Sequence, residues 1–538
     1  MVHQEGSAIQ RQTQASTYWA GAFVIDESDL EYLANIFLER ETPLGLDELT
    51  RLVVEHRLQQ QEQALQRLLA RGTLYRPKGD YTVGQEVVFP ALGFAVGTVV
   101  GVRPGNNPEY GEFQVIQVEF EGGKRREFAS HFHRPHRLNT EDGLPIPSQD
   151  SEQLSADEIL ARYGAGIREK LAAALEAHDK FATFADKWFL KALLPEVNIG
   201  HLNLAEAVLD VHGGGPLPTE ALLKDVGLPE EIPLELRIFA LDYALQRDER
   251  FDEVGPSGEV LWFLRRLEPP GVITAPRQLH YKPIPYDPRL LSSEEQRLEQ
   301  EIGDELSALP PPPAPEDEVI ITLTYPHRRN GTLPLSARLA PIFPTARIAP
   351  RVRFTLIDAR TGKEMPGWVV RPHRYVYGLE EWYRRYELPV GTYVRVKRGN
   401  TPGTVIVDYQ GARPKSEWVR VATPLGNRLT FELQKRKVTP EFDDLMMIWV
   451  DDPEPIDALA QRLEEQSRSL ARLLADLVPE LAKLNPQGTV HTKTIYSAVN
   501  LLRRCPPGPI LAELISRPAF ISVGGGYWRF DESRWDGA

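Results

Sequence analysis

Few residues of this 538-residue chain combine the types and spacings that break or form bonds. Its one cysteine, Cys505, lies in Arg-Arg-Cys-Pro-Pro at the expected end of a helix. A thiolate nucleophile needs a base and an activating environment, and neither is signalled there. His131, His133 and His136 have a spacing that could hold a metal, but followed by Arg-Pro-His-Arg they read as a solvated or phosphate-facing edge. Glu119, Glu121 and Lys124 lie on and after one expected strand, as in metal-dependent nucleases, yet no upstream Asp completes the set. There is no Gly-x-x-x-x-Gly-Lys-Ser/Thr loop, no Gly-x-Gly-x-x-Gly after a strand and no His-Glu-x-x-His. Gly524-Gly525-Gly526 falls in an expected hairpin turn, where positive φ is reason enough for glycine. The expectation is a non-enzymatic protein without a cofactor or metal.

Charge is the stronger signal. The chain holds 62 Lys and Arg against 76 Asp and Glu, a net of −14. Residues 318–440 alone hold 22 Lys and Arg against 9 Asp and Glu, which is +13. Solubility does not need such segregation, whereas a surface for a polyanion does. Nucleic acid is the obvious polyanion, because Lys and Arg at phosphates release counterions. Arg384, Arg385, Arg395, Lys397 and Arg398 suit phosphate contacts, which position a protein without reading sequence. Any one of them could equally be a solvated helix face or an edge defence. Acidic stretches at 290–317 and 443–455 flank the island and could compete for its basic face until DNA displaces them.

The elements that must position these residues read as several domains. Residues 1–26 read as a flexible arm. Helical periods from Glu27, through Leu30, Leu33, Ala34 and Phe37, and two further helices to Arg71-Gly72 suggest a winged helix over 27–80. Alternation over 81–138 predicts a small SH3/Tudor-like barrel. Residues 139–153 read as a polar linker and 154–197 as a helical connector. Residues 198–270 repeat the winged-helix pattern with a glycine turn at 213–215 and a wing ending in Leu261-Trp262-Phe263-Leu264. Residues 201–268 carry 6 Lys and Arg against 14 Asp and Glu, so this module repels phosphate and suits protein docking or a structural role. Residues 290–317 read as an acidic, proline-rich linker. A long helix at about 456–484, two shorter helices and a tryptophan hairpin suggest a C-terminal winged helix over 456–532. One cysteine excludes an intrachain disulfide and suggests a cytoplasmic location. No apolar run approaches a membrane span, and the N-terminus has no apolar signal core.

Two resemblances rest on particular residues. Leu204-Ala205-Glu206-Ala207-Val208-Leu209, the glycine turn, Pro216-Leu217-Pro218-Thr219-Glu220-Ala221-Leu222-Leu223 and the tryptophan wing resemble the acidic winged helix of the RNA polymerase delta subunit. The barrel opening at 83–90 looks like the polymerase-binding barrel of some bacterial transcription factors. In the basic island, strands alternate with Arg328-Arg329-Asn330-Gly331, Asp358-Ala359-Arg360-Thr361-Gly362-Lys363, Gly367-Trp368 and Leu388-Pro389-Val390-Gly391. That order resembles the DNA-binding pseudobarrel of plant auxin-response factors and restriction-enzyme effector domains. Thr392 stands where that family has Asp. The resemblance implies two arms gripping the major groove, on Arg328, Arg329 and Asn330 and on Trp368, Arg371, His373 and Arg374. The residue types agree, since Arg can be bidentate to guanine and Asn to adenine. The expected fold is multidomain α+β: winged helices, an SH3-like barrel and a basic pseudobarrel over 318–440. The expected function is transcription-associated binding of double-stranded DNA, with RNA polymerase or another complex as protein partner. The alternatives are the recognition subunit of a restriction or phage-defence system, and a structural adaptor for RNA or an acidic protein.

Overall fold

A computed structural model of the chain describes residues 13, 17–69, 72–92, 95–140, 154–314, 316–411, 413–535 and 537. Most of the expected N-terminal arm and residues 141–153 of the expected polar linker lie outside the described residues. The chain is mixed α+β with several separate sheets, and forms two compact units: residues up to 196 with 229–243, and residues 197–228 with 244 onward. Among the described residues no helix is long and apolar enough to cross a membrane.

In the first unit, α1 (Glu27–Arg40) begins at Asp26, whose carboxylate accepts the Ser28 and Asp29 amides while Asp29 accepts the Asp26 amide. Leu30, Leu33 and Phe37 are buried, as helical spacing requires. Trp19 and Phe23 are buried too, so the described end of the expected arm belongs to the core. β1 (Leu44–Gly45) runs into α2 (Leu46–Leu69). Then β2 (Thr73–Leu74), β3 (Glu86–Phe89), β4 (Ala95–Pro104), β5 (Gln114–Phe120) and β6 (Arg125–Ser130) make a five-stranded sheet in that order. Its core is Tyr75, Tyr81, Val87, Phe89, Val99, Ile116 and Val118. α3 (Ala156–Ala177), capped by Ser155 and Glu158, leads to the hairpin β7 (Phe181–Phe184) and β8 (Lys187–Leu190). β8 pairs with β1, Leu44 opposite Trp188. The expected connector thus supplies a third helix and a hairpin to α1 and α2, and the five-stranded sheet is inserted between them.

The second unit opens with α4 (Ile199–Val211), β9 (Leu217–Pro218) and α5 (Thr219–Val226). α6 (Leu234–Leu245) follows, with residues 234–243 belonging to the first unit, where the Phe239 ring lies 6.4 Å from Phe189. The chain returns through β10 (Phe251–Glu253), β11 (Leu261–Leu264) and the short α7 (Pro270–Ile273). α8 (Ser293–Ile302) lies within the stretch expected to be a linker.

The basic island begins with β12 (Glu318–Thr322), α9 (Tyr325–Asn330) and β13 (Thr332–Pro334). It continues with β14 (Arg351–Asp358), β15 (Glu364–Val370), β16 (Tyr375–Tyr377), α10 (Glu380–Arg385), β17 (Tyr393–Arg398) and β18 (Thr404–Tyr409). These strands form one curled seven-stranded sheet, ordered β12-β17-β18-β14-β15-β16-β13. Its interior holds Val352, Phe354, Leu356, Val394, Val396, Val405 and Val407, the alternate residues of three strands. β19 (Lys415–Leu425) and β20 (Arg428–Val438) form a separate two-stranded hairpin, so the sheet ends at 409 and not at 440.

The expected long helix is two, α11 (Pro453–Glu465) and α12 (Leu470–Ala482), broken where Ser467 takes φ 51°. β21 (Val490–His491), α13 (Thr492–Leu502), α14 (Pro507–Ser516), β22 (Phe520–Gly524) and β23 (Tyr527–Phe530) complete the chain. Three small sheets then share one order: β1-β8-β7, β9-β11-β10 and β21-β23-β22. In each, a tryptophan of the last hairpin strand faces an apolar residue of the short strand: Leu44 and Trp188, Leu217 and Trp262, Val490 and Trp528. The Trp262 indole donates to Thr219 Oγ1 at 3.2 Å, and Trp528 to Thr492 Oγ1 at 3.0 Å.

Candidate nucleic-acid interface

α9 carries the first group of residues expected to touch DNA. Gly331 ends the helix at φ 62°, where a Cβ would come within 2.4 Å of the Glu380 backbone nitrogen. Arg328 is drawn inward, its Nε donating to the Leu388 carbonyl at 2.5 Å, and burial holds its pKa below the usual value. Arg329 donates to Asp457 at 2.8 Å and to Glu454 at 2.5 Å. The Asn330 amide donates to the Pro326 carbonyl at 2.7 Å. All three hold the island to itself or to α11. The reason is length: with six residues, α9 is a packed turn rather than an extended arm.

The second group divides. Trp368 is 2% exposed, edge-on to Phe263 at 5.1 Å, in a core with Val254, Val272, Val370 and Tyr375. Its ring does not reach the surface, which corrects its expected place on an arm. Arg371, His373 and Arg374 do stand exposed on the turn between β15 and β16. Arg371 donates to the Ala349 carbonyl at 2.8 Å and Arg374 to the Glu305 carbonyl at 3.1 Å, which fixes both stems. This turn follows the end where Val370 meets Arg351, while α9 packs against α10 and α13. Both expected arms nevertheless reach Glu305, Arg374 at its carbonyl and His327 of α9 at its carboxylate.

The phosphate candidates are mostly tied by weak surface pairs. Arg384 meets Glu380 at 2.6 Å, Arg395 meets Glu318 at 3.4 Å, and Arg398 meets Asp317 at 3.5 Å. Such pairs are each worth well under about 1 kcal/mol and yield to a competing phosphate. Arg385 lies over Tyr386. Arg385 and Lys397 are exposed with no carboxylate partner among the described residues.

The β19–β20 hairpin adds a patch that the sequence does not single out by residue. Trp418 is 63% exposed, opposite Lys435, whose Nζ lies 5.4 Å from the indole centroid. Lys437 and Leu433 share that face, and Arg413 and Lys415 lie at the same end of the hairpin. The far end of this face, with Ala422, Leu429 and Phe431, is buried in the core of the C-terminal helices. The opposite face is buried through Val419, Val421 and Val438 against Met447. One open patch remains, a ring among lysines. The available signal is Lys435-Arg436-Lys437 in register with a lone tryptophan.

Much of the island's charge is answered from outside it. Arg351 pairs with Asp252 and lies 3.1 Å from Glu268, Arg338 is 3.2 Å from Glu316, and Arg436 is 2.8 Å from Asp451. The acidic stretch 290–317 is not a spacer. Asp304 and Glu305 are buried, and the Arg504 guanidinium, 1% exposed, donates to Asp304 at 2.7 and 2.8 Å and to Glu305 at 2.7 Å. His327 lies 3.2 Å from Glu305, and the Tyr496 hydroxyl donates to Asp304 at 2.5 Å. Burial alone would raise the Glu305 carboxyl, but Arg504 and His327 hold it far below the carboxylate range. Sequence reasoning could not find this centre, because its members lie about 200 residues apart.

Of the chemistry candidates, His131 and His133 lie edge-on with ring centroids 4.7 Å apart. Cys505 is buried, which pushes its thiol up to about 12 and keeps it protonated. Among the described residues no three His, Cys, Asp or Glu side chains converge as a metal site. The chain matches no protein-family model, no curated protein and no solved structure.

Proposed function

We propose that this chain is a non-enzymatic protein that binds double-stranded DNA through the basic island. The observation that carries the proposal is the set of exposed island cations left without carboxylate partners among the described residues. They include Arg371 and Arg374 on the β15–β16 turn, Arg385, Lys397, and Arg413, Lys415, Lys435 and Lys437 at the hairpin base. In this reading the contacts are chiefly to phosphates, which makes affinity steeply salt-dependent. The three repeated helix–hairpin modules read as winged helices and the inserted sheet as an SH3-like barrel. The acidic module from α4 to β11 then faces a protein, with the transcription machinery as the partner to test by co-purification.

The test is duplex binding by the full chain across a salt series. Arg371→Glu with Arg374→Glu is expected to weaken binding at least tenfold and to flatten the salt slope by about one per phosphate contact removed. Lys435→Glu with Lys437→Glu is expected to do the same. Binding unchanged in both pairs sinks the proposal. A second reading, that the island's charge is internal scaffolding, draws on the pairs from Asp252, Glu316, Asp451 and Glu454. It predicts loss of stability, not of binding, when those carboxylates are removed.

A further inference from the structure

A second cationic surface lies on the five-stranded sheet of the first unit, and it is built around rings. Residues 124–137 hold Lys124, Arg125, Arg126, Arg134 and Arg137 against a single carboxylate, Glu127. Glu127 is occupied by Arg103 at 2.6 Å, and Arg125 by Glu119 at 2.5 Å. Lys124, Arg126, Arg134 and Arg137 have no carboxylate partner among the described residues and are exposed. Beside Arg134 and Arg137, at the end of the hairpin away from Lys124 and Arg126, the Phe132 ring is the hub of a cluster outside the sheet's core. Tyr110 and Phe113 meet it edge-on, each at 5.8 Å, and His136 does so at 6.2 Å. Tyr110 is 47% exposed, and His133 and His136 are exposed.

The platform is fixed in advance of any ligand. Phe113 lies over Gly105, where a Cβ would come within 2.4 Å of the ring, so glycine is required by the close approach. The tail after β6 is tied down along its length. The His131 amide donates to Gly79 O at 3.0 Å, the Phe132 amide to Pro77 O at 2.9 Å, and the Asn139 side chain to Phe132 O at 2.9 Å. His131 Nδ1 lies 2.7 Å from Asp80. His136 Nδ1 accepts the Leu138 amide at 3.1 Å, so its neutral ring carries the proton on Nε2 as a donor.

We propose that this edge binds single-stranded nucleic acid, with bases stacking on the open rings and phosphates passing Arg134 and Arg137. A single strand presents the π-faces that a duplex hides, and ring platforms beside cations are how such strands are held without sequence preference. An acidic peptide would satisfy the cations and leave the rings unused. Glu109 and Glu112, exposed beside Tyr110, turn the phosphates towards the Arg134 side. The proposal is independent of the basic island, which lies in the other unit.

The test uses the full chain with labelled oligothymidylate and oligouridylate of about 20 nucleotides, and a duplex in parallel. Arg134→Glu with Arg137→Glu, and separately Tyr110→Ala, are expected to weaken single-strand binding about tenfold or more. Tyr110→Phe is expected to retain it, and duplex binding is expected to hold in all of them. Arg371→Glu with Arg374→Glu is expected to show the reverse pattern if the island binds duplex. The DNA and RNA arms distinguish which strand is preferred. The proposal is overturned if the charge reversal leaves single-strand affinity intact, if it lowers duplex binding equally, or if polyglutamate displaces the strand at matched charge. Should Tyr110→Ala melt early, the exposed charge reversal decides alone.

Discussion

The modules at 199–264 and 470–530 share a sheet order, a strand register and an indole-to-threonine bond, yet their surroundings differ. In the C-terminal module every residue of α13 is buried, and most of α14 is too. The apolar Ile510, Leu511 and Leu514 of α14 join a core that also takes in Tyr281, Ile284 and Tyr286 from the chain before α8. The acidic module instead leaves Ile199, Leu204 and Val211 of its first helix exposed. One topology thus serves once as an interior and once as a surface. At the equivalent helices the difference lies in charge, since α5 leaves Glu220, Lys224 and Asp225 in water while the one charged residue of α13, Lys493, is paired with Glu301 and Asp443.

Three measurements can break or sharpen that contrast. The largest effect is expected at the Arg504 centre, whose cation is 1% exposed against 12% for Arg351 beside Asp252 and Glu268. Arg504→Met leaves Asp304 buried without its cation and Glu305 with His327 alone, and is expected to cost about 3–5 kcal/mol in denaturant unfolding. A change below about 1 kcal/mol would mean that water or rearrangement reaches the centre. Next are the paired threonines. Thr492→Val and Thr219→Val each leave a buried indole N–H without this acceptor, for about 1–3 kcal/mol. Similar losses support one shared device, and a loss in only one module dissolves the equivalence.

The smallest effect is expected in the pH dependence, where the modules oppose each other. Burial raises Glu253 from 4.5 to about 7. Its folded state holds the proton longer, so this group withdraws stability as pH rises from about 4.5 to 7. Burial lowers His491 below 6.5, so the C-terminal module loses stability as pH falls beneath that value. Melting temperatures across pH 4 to 8 are expected to flatten on the alkaline side in Glu253→Gln and on the acid side in His491→Gln. Identical profiles in both variants would show that neither group governs the curve.

Local order is legible in the sequence, and distant partners are not. The five-stranded sheet and the hairpin at 251–264 show through because alternation, glycine turns and a tryptophan lie within one short window. The hairpin at 181–190 hides inside an apparent connector because its partner strand, Leu44-Gly45, lies far upstream. Residues 290–317 look like a spacer because their acidity suggests solvent, while their buried cation, Arg504, is remote. Trp368 looks like a contact residue by its place in a motif, but Phe263, distant in sequence, encloses it. Arg371, His373 and Arg374 are legible as exposed polar residues, whereas Trp418 becomes visible only with β19 and β20 in register.

The insertion of the five-stranded sheet bears on the order in which the chain can mature. Leu44 and Trp188 are roughly 140 residues apart, against roughly 40 for Val490 and Trp528. Closing the longer loop costs about 1 kcal/mol more in chain entropy if what lies between is unstructured. A sheet that has already folded within that span brings the two ends closer before they meet. During synthesis the inserted sheet can form while its host is still in two pieces, and the host closes only after Trp188 emerges. The insert then acts as a guest whose early folding eases the completion of its host.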